Sequence, residues 1–130
     1  MDFRLNGKNA VILGGTRGLG RAIAATLADE GANIAICARN ADQITAAVSA
    51  LQDKGVKATG GSVDVTDGAA LKSWITSAGE ELGGIDILIS NAGAMAQGND
   101  EASWKQNFNL DVLGAVNAFE AAEPFLEKQP

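Results

Sequence analysis

A glycine-rich segment, Gly-Gly-Thr-Arg-Gly-Leu-Gly, occupies positions 14–20 and has the composition of a phosphate-binding turn. It follows a short apolar run and precedes a segment in which apolar residues recur at helical spacing. Glycine permits the tight turn and lets the backbone approach a pyrophosphate closely. A helix beginning there would offer free backbone N–H groups and the positive end of its dipole to the anion. The segment predicts a nucleotide-binding turn; the alternative is a turn that serves only strand–helix packing.

The elements that must position this turn alternate along the whole chain. Apolar β-rich runs predict four strands, at 9–14, 33–38, 56–63 and 85–90. The first and fourth runs are apolar nearly throughout, which is typical of strands covered on both faces. Apolar residues spaced three and four apart predict a helix after each strand, the second ending at Gly55 and the fourth spanning 101–123. This βαβαβαβα order favours a parallel sheet with right-handed crossovers.

The glycine spacing at 14–20 resembles the Thr-Gly-x-x-x-Gly-x-Gly motif of the short-chain dehydrogenase/reductase family, with Leu13 in place of the threonine. Two further family motifs follow in the family's order, Asp-Val at 64–65 and Asn-Ala-Gly at 91–93. The resemblance covers the whole chain, which matches the amino-terminal half of the family's members. It implies an α/β fold with a Rossmann-like doubly wound parallel sheet in the strand order 3-2-1-4. Residues 1–130 would then be a single, incomplete dinucleotide-binding domain.

The same resemblance implies a nicotinamide dinucleotide as the cofactor and assigns its contacts to the motifs above and to the end of the second strand. In chain order these positions are Gly14, Thr16, Arg17, Gly18, Leu19, Gly20, Arg39, Asp64, Val65, Asn91, Ala92 and Gly93.

The end of the second strand favours NADP(H) over NAD(H). NAD-selective sites usually place a carboxylate there to bind the ribose hydroxyls, whereas this chain has Ala38 followed by Arg39. Arg39 and Arg17 would both lie within reach of a 2′-phosphate, and the planar guanidinium suits a phosphate group. The alternative is that both arginines are ordinary surface charges.

The family resemblance also implies hydride transfer between the nicotinamide and a carbonyl or alcohol. In the family the acid–base group is the tyrosine of a Tyr-x-x-x-Lys helix, assisted by a serine and by an asparagine on the fourth helix. This sequence contains no tyrosine, and Asp111 stands at the asparagine position unless the register shifts by two residues to Asn109. We therefore expect no catalytic residue here, with Asp111 interpreted as a surface carboxylate, and no activity from this chain alone. The sequence does not identify a substrate.

Composition limits the remaining functions. The 130 residues carry a net charge of −6, which argues against binding to nucleic acid or to an anionic membrane surface. No apolar run reaches the roughly 18 residues of a membrane helix. The sequence has no histidine, which excludes histidine metal sites, and its single cysteine, Cys37, excludes an intrachain disulfide and fits a reducing cytoplasm.

Two surfaces predict self-association. The strand at 85–90 would be an apolar sheet edge with unpaired backbone groups, which favours pairing with another chain. The helix at 101–123 carries Trp104 and Phe108, and helices at this position often form subunit contacts in the family. We expect a homo-oligomer through one or both surfaces. Three interpretations remain open: the NADP(H)-binding amino-terminal portion of a dehydrogenase, one half of a split enzyme, or a non-enzymatic assembly module with a vestigial nucleotide site.

Overall fold

The computed structural model describes residues 2–91 and 98–129. The described residues contain a four-stranded sheet in the order β3-β2-β1-β4, with every neighbouring pair parallel. This confirms the predicted strand order and the predicted fold class. The strands are β1 (Asn9–Leu13), β2 (Asn33–Ala38), β3 (Ala58–Ser62) and β4 (Ile87–Ser90).

The helices cover both faces of the sheet. They are α1 (Gly18–Asp29), α2 (Ala41–Gln52), α3 (Gly68–Leu82), α4 (Glu101–Asn107) and α5 (Gly114–Leu126), with a π-helical turn, Phe108–Leu113, between the last two.

Alternate residues of the central strands feed two separate cores. Val11 and Leu13 of β1 pack with α3 and α5, whereas Ile12 of the same strand packs with α1 and α2. Because successive strand side chains point to opposite faces, a strand buried on both faces needs apolar residues on both. All five residues of β1 are buried, as predicted, and four are apolar; the fifth, Asn9, donates from its side-chain Nδ2 to the Leu82 carbonyl oxygen at 3.2 Å.

The edge strand β4 is less covered than predicted. Its three apolar residues, 87–89, are only half-buried, and Ser90 is exposed. The predicted start at Ile85 is also wrong, although Ile85 is fully buried. Asp86 accepts a hydrogen bond from the Asn9 backbone N–H through its side chain, at 2.8 Å, and pairing with β1 begins at Ile87, two residues later than predicted.

The helix starts follow from local capping. Asn40 caps α2 by accepting from the Gln43 N–H, and Asp67 caps α3 by accepting from the Ala70 N–H. Side-chain oxygens at such positions satisfy backbone N–H groups that have no partner inside the helix. α1 differs, because the side chain of its N-cap residue, Arg17, makes no capping bond.

The fourth predicted helix is interrupted rather than continuous. The π-helical turn at 108–113 separates α4 from α5, and the helical conformation passes through Pro124 to Leu126. The face of α5 that contacts the sheet consists of small residues, Gly114, Ala118 and Ala122. The large apolar residues of this segment lie outside, with Trp104 exposed by 66% and Phe108 by 52%.

Among residues 2–91 and 98–129, no helix combines the length and apolar character needed to cross a bilayer.

Candidate functional site

A cleft of about 690 Å³ opens at the carboxyl ends of the strands. Open parallel sheets bind ligands there, at the point where the strand order reverses; here that point lies between β1 and β4. The lining residues come from the glycine turn, from the segments that follow β2 and β3, and from α4 and the π-helical turn. They are Gly14, Thr16, Arg17, Gly18, Leu19, Cys37, Ala38, Arg39, Asn40, Gln43, Val63, Val65, Thr66, Asn91, Gln106 and Leu110.

The glycine turn presents backbone donors to this cleft. Gly14 and Gly18 both have positive φ, +81° and +59°, a conformation that glycine adopts without strain. Among the described residues, nothing beyond its chain neighbours and its own helix backbone lies within 4 Å of a Cβ built on Gly18, so the turn is open where α1 begins. α1 has no acidic residue in its first turn, and its N-cap side chain leaves the first N–H groups uncapped. This arrangement fits a pyrophosphate, which would bind those N–H groups at the positive end of the helix dipole.

Gly20 lies behind the turn rather than in the cleft. It is buried, and a Cβ built on it would collide with the carbonyl group of Gly14 and lie 2.7 Å from Nδ2 of Asn91. Asn91 donates from that Nδ2 to the Gly14 carbonyl oxygen at 3.3 Å. The third glycine of the motif therefore allows close packing, and Asn91 ties the end of β4 to the turn.

Thr16 connects the turn to α2. Its side chain is 7% exposed, and its hydroxyl lies 3.5 Å from Oε1 of Gln43. Neither Gln43 nor its neighbour Asn40 was predicted as a site residue. The capping preference of Asn40 was readable from the sequence. The place of Asn40 and Gln43 in the cleft, however, depends on the fold, which brings Gln43 to Thr16 from 27 positions away.

The two arginines predicted to bind phosphate, Arg17 and Arg39, line the same cleft and are solvent-accessible. Nη2 of Arg39 lies 3.5 Å from Oδ2 of Asp64, while Oδ1 of Asp64 accepts from the Thr66 N–H at 3.0 Å and from its hydroxyl at 2.7 Å. These contacts, the Thr66 hydroxyl first among them, lower the pKa of Asp64 below its ordinary value. Asp64 thus lies beside the cleft and touches Arg39, while Val65 lines it.

Val63, Val65 and Leu110 form one apolar wall of the cleft. Helix α5 approaches this wall closely, since a Cβ on Gly114 would lie 2.6 Å from Cγ1 of Val65. Cys37 forms part of the same cleft but is fully buried, and this desolvation raises the pKa of its thiol to about 12. A thiol held protonated is a poor nucleophile, so Cys37 acts as a small apolar residue.

The structure describes only some of the remaining predicted site positions. Ala92 and Gly93 lie outside the described residues, as does the rest of the segment up to 97. Asp111 is exposed in the π-helical turn, as expected of a surface carboxylate. From this part of the fold, the cleft is lined instead by Gln106 and Leu110. Within the described residues, no three or more His, Cys, Asp or Glu side chains form a group suited to a metal ion.

Comparison with known proteins places these features in a family. The family model for short chain dehydrogenases matches residues 8–130. The chain is 36% identical to isoepoxydon dehydrogenase patN of Penicillium expansum over 129 residues, 97% of this chain and 50% of that protein. L-sorbose reductase from Gluconobacter frateurii, solved with NADPH and L-sorbose, superimposes with a TM-score of 0.91 at 34% identity, covering 97% of this chain and 50% of the reductase. An NAD+-bound xylitol dehydrogenase gives a TM-score of 0.88 at 28% identity, covering 95% and 49%. The chain spans about half the length of the curated relatives it matches.

Proposed function

Because the chain belongs to the short chain dehydrogenase family, we propose that it is the NADP(H)-binding portion of an oxidoreductase. Its residues form one dinucleotide-binding domain. The complete enzyme transfers a hydride between the bound nicotinamide and a carbonyl or alcohol substrate. The acidic composition and the single buried cysteine, Cys37, support the reducing cytoplasm as its location.

One observation carries this proposal: the uncapped start of α1 and two arginines face a single cleft. The N–H groups at the start of α1 would hold the pyrophosphate. Arg17 and Arg39 would flank the adenosine ribose, and the apolar wall of Val63 and Val65 would pack against the adenine. When bound, the cofactor supplies the hydride or accepts it.

The choice of NADP(H) over NAD(H) depends on residues rather than on relatives, since the two solved neighbours carry different cofactors. Ala38 ends β2 without a carboxylate, so no anion there repels a 2′-phosphate or binds the ribose hydroxyls. Arg39 follows directly with an exposed guanidinium, which can bind the phosphate with paired hydrogen bonds.

The 130 residues alone are expected to bind cofactor without catalysing its oxidation. The family resemblance implies a tyrosine as the acid–base group, and this sequence has none. The matched length is about half that of the relatives, which supports a second portion that carries the tyrosine. That portion could belong to the same polypeptide or to another chain.

A second candidate function, self-assembly, is favoured by the exposed apolar residues of α4, the π-helical turn and α5. We name this surface the outer stripe; it consists of Trp104, Phe108, Val112, Val116 and Phe119. Isolated exposed apolar residues are ordinary, but five exposed ones spaced three or four positions apart along one helical segment favour an interaction surface. We propose a homo-oligomer through the outer stripe, the β4 edge or both.

Calorimetric titration of the purified chain with NADPH, and separately with NADH, tests the proposed function. Saturable binding that favours NADPH is the expected result. If a chain shown by circular dichroism to be folded binds neither cofactor, the nucleotide-binding proposal is wrong and the assembly function takes its place. Tighter binding of NADH would contradict only the assignment of the cofactor.

A further inference from the structure

Arg39 has an anionic partner inside the chain before any cofactor arrives. Its guanidinium Nη2 lies 3.5 Å from Oδ2 of Asp64, which is the distance of an ion pair. Both side chains are accessible, Arg39 by 77% and Asp64 by 48%. A phosphate that approaches Arg39 through the cleft must therefore compete with a carboxylate already beside it.

The two partners are held differently. Asp64 is anchored, because its other oxygen, Oδ1, accepts two hydrogen bonds from Thr66. Arg39 is held at its backbone, where its carbonyl oxygen accepts from the Ser62 hydroxyl at 2.9 Å. The guanidinium is free to rotate away on its flexible stem while the carboxylate stays in place. Pairing with Asp64 therefore defines one position of the Arg39 guanidinium. The side chain can adopt a second position, away from Asp64, without any backbone change.

The strength of the pair fits an exchange of partners. Ion pairs between exposed side chains stabilise only weakly, because water screens them. A phosphate carries more negative charge than a carboxylate and accepts paired hydrogen bonds from one guanidinium. The phosphate would consequently displace Asp64 from Arg39. The pair would still lower the apparent affinity of the chain for the phosphate-bearing cofactor, because Arg39 can bind the phosphate only during the fraction of time in which it is not paired with Asp64.

We propose that Asp64 is a specificity-determining residue that competes with the cofactor's 2′-phosphate for Arg39 and so moderates the preference for NADP(H). This inference rests on the proposed function, since it requires that Arg39 binds the 2′-phosphate. NADH has no 2′-phosphate and leaves the pair intact. Any other effect of Asp64 on the adenosine portion is common to both cofactors, so it cancels in the ratio of the two dissociation constants.

The test is a double-mutant cycle on the full chain, read as the ratio of the NADH and NADPH dissociation constants from calorimetry. Asp64→Asn removes the competing charge but keeps an oxygen that can accept from Thr66. We expect this variant to raise the ratio about two- to fivefold, which corresponds to the strength of an exposed ion pair. Asp53→Asn serves as the matched control, because it removes the same charge from an exposed residue at the end of α2 and should leave the ratio unchanged.

Repeating Asp64→Asn in an Arg39→Ala background separates competition from simple repulsion. Competition requires Arg39, so the ratio should no longer respond to Asp64→Asn in that background. An equal response with and without Arg39 would show general repulsion and overturn the inference, and so would an unchanged ratio in the single variant. A wild-type chain that binds NADPH no better than NADH would instead overturn the NADP(H) assignment and this inference with it.

Discussion

Asn91 donates a hydrogen bond from its side-chain amide to the carbonyl oxygen of Gly14, across 77 positions of sequence. The bond joins the end of β4 to the start of the glycine turn. The conformation of the turn therefore depends on a tertiary contact as well as on its glycines. Gly20 packs against the same carbonyl group, so three residues from two motifs form one unit at the mouth of the cleft.

Gly20→Ala should disrupt this unit. The added methyl group would overlap the Gly14 carbonyl, which is backbone and cannot rotate away. We expect a loss of about 1–3 kcal/mol in the free energy of unfolding, together with weaker NADPH binding. Urea denaturation and calorimetry measure the two effects. Gly68→Ala is the control, because its methyl group would meet only the amide of Asn117, an adjustable side chain. Equal stability of the two variants would contradict the close-packing role of Gly20.

Arg39→Asp should shift the preference from NADPH towards NADH. The new carboxylate would repel a 2′-phosphate and could accept hydrogen bonds from ribose hydroxyls. We expect the ratio of the two dissociation constants to change by about tenfold or more, equivalent to at least about 1.4 kcal/mol. Lys57→Asp makes the same change of charge at an exposed residue preceding β3 and should have little effect. Unchanged relative affinities in Arg39→Asp would remove Arg39 from the cofactor site.

The strands were predictable from local signals and their order from the family resemblance, whereas the interrupted helix was not predictable. β2 begins and ends as predicted, since its mostly apolar run, Asn33–Ala38, lies between Gly31 and Arg39. The π-helical turn at 108–113 has no such signal, because it arises where α5 packs through Gly114 against Val65. That turn also changes the helical register, so a periodicity counted from Trp104 could not show which residues face the sheet.

The candidate site likewise contains residues that the sequence predicted and residues that it did not. The glycine turn was recognisable from its motif spacing between a strand and a helix, and Arg39 from its place at the end of the second strand. Gln43 and Gln106 were not, since a glutamine on a helix carries no sequence signal for a ligand and only the assembled fold brings both into the cleft. The Arg39–Asp64 pair was missed for the same reason, although each residue was identified separately.

The pKa of Asp64 should rise towards its ordinary value in Thr66→Val, because the Thr66 hydroxyl is the main cause of its depression. A depressed folded-state pKa stabilises the fold above the unfolded-state pKa, and this contribution disappears as the pH falls through the folded-state value. Wild type should therefore lose more stability than Thr66→Val on acidification below about pH 4, where unfolded aspartate titrates. Carboxyl NMR titration measures the pKa, and urea denaturation at neutral and acidic pH measures the stability. Asp100 is an internal control: its pKa is lowered by Ser103 and should not change. Identical Asp64 titrations in the two proteins would exclude the hydroxyl as the cause.

Phe108→Glu and Phe119→Glu should weaken self-association without weakening the fold. Both side chains are about half exposed on the outer stripe, so the substitutions leave no cavity in the core, and we expect changes in unfolding free energy within about 0.5 kcal/mol. A charge placed in the middle of an apolar contact between two copies would instead have to be desolvated, which costs several kcal/mol when it has no partner. Sedimentation equilibrium should therefore show an oligomer for wild type and a monomer for each variant. Ala102→Glu adds the same charge at an exposed position off the stripe and should preserve the oligomer. A wild-type chain that stays monomeric over a wide concentration range would exclude the homo-oligomer, and an oligomer that survives both substitutions would assign the contact to the β4 edge.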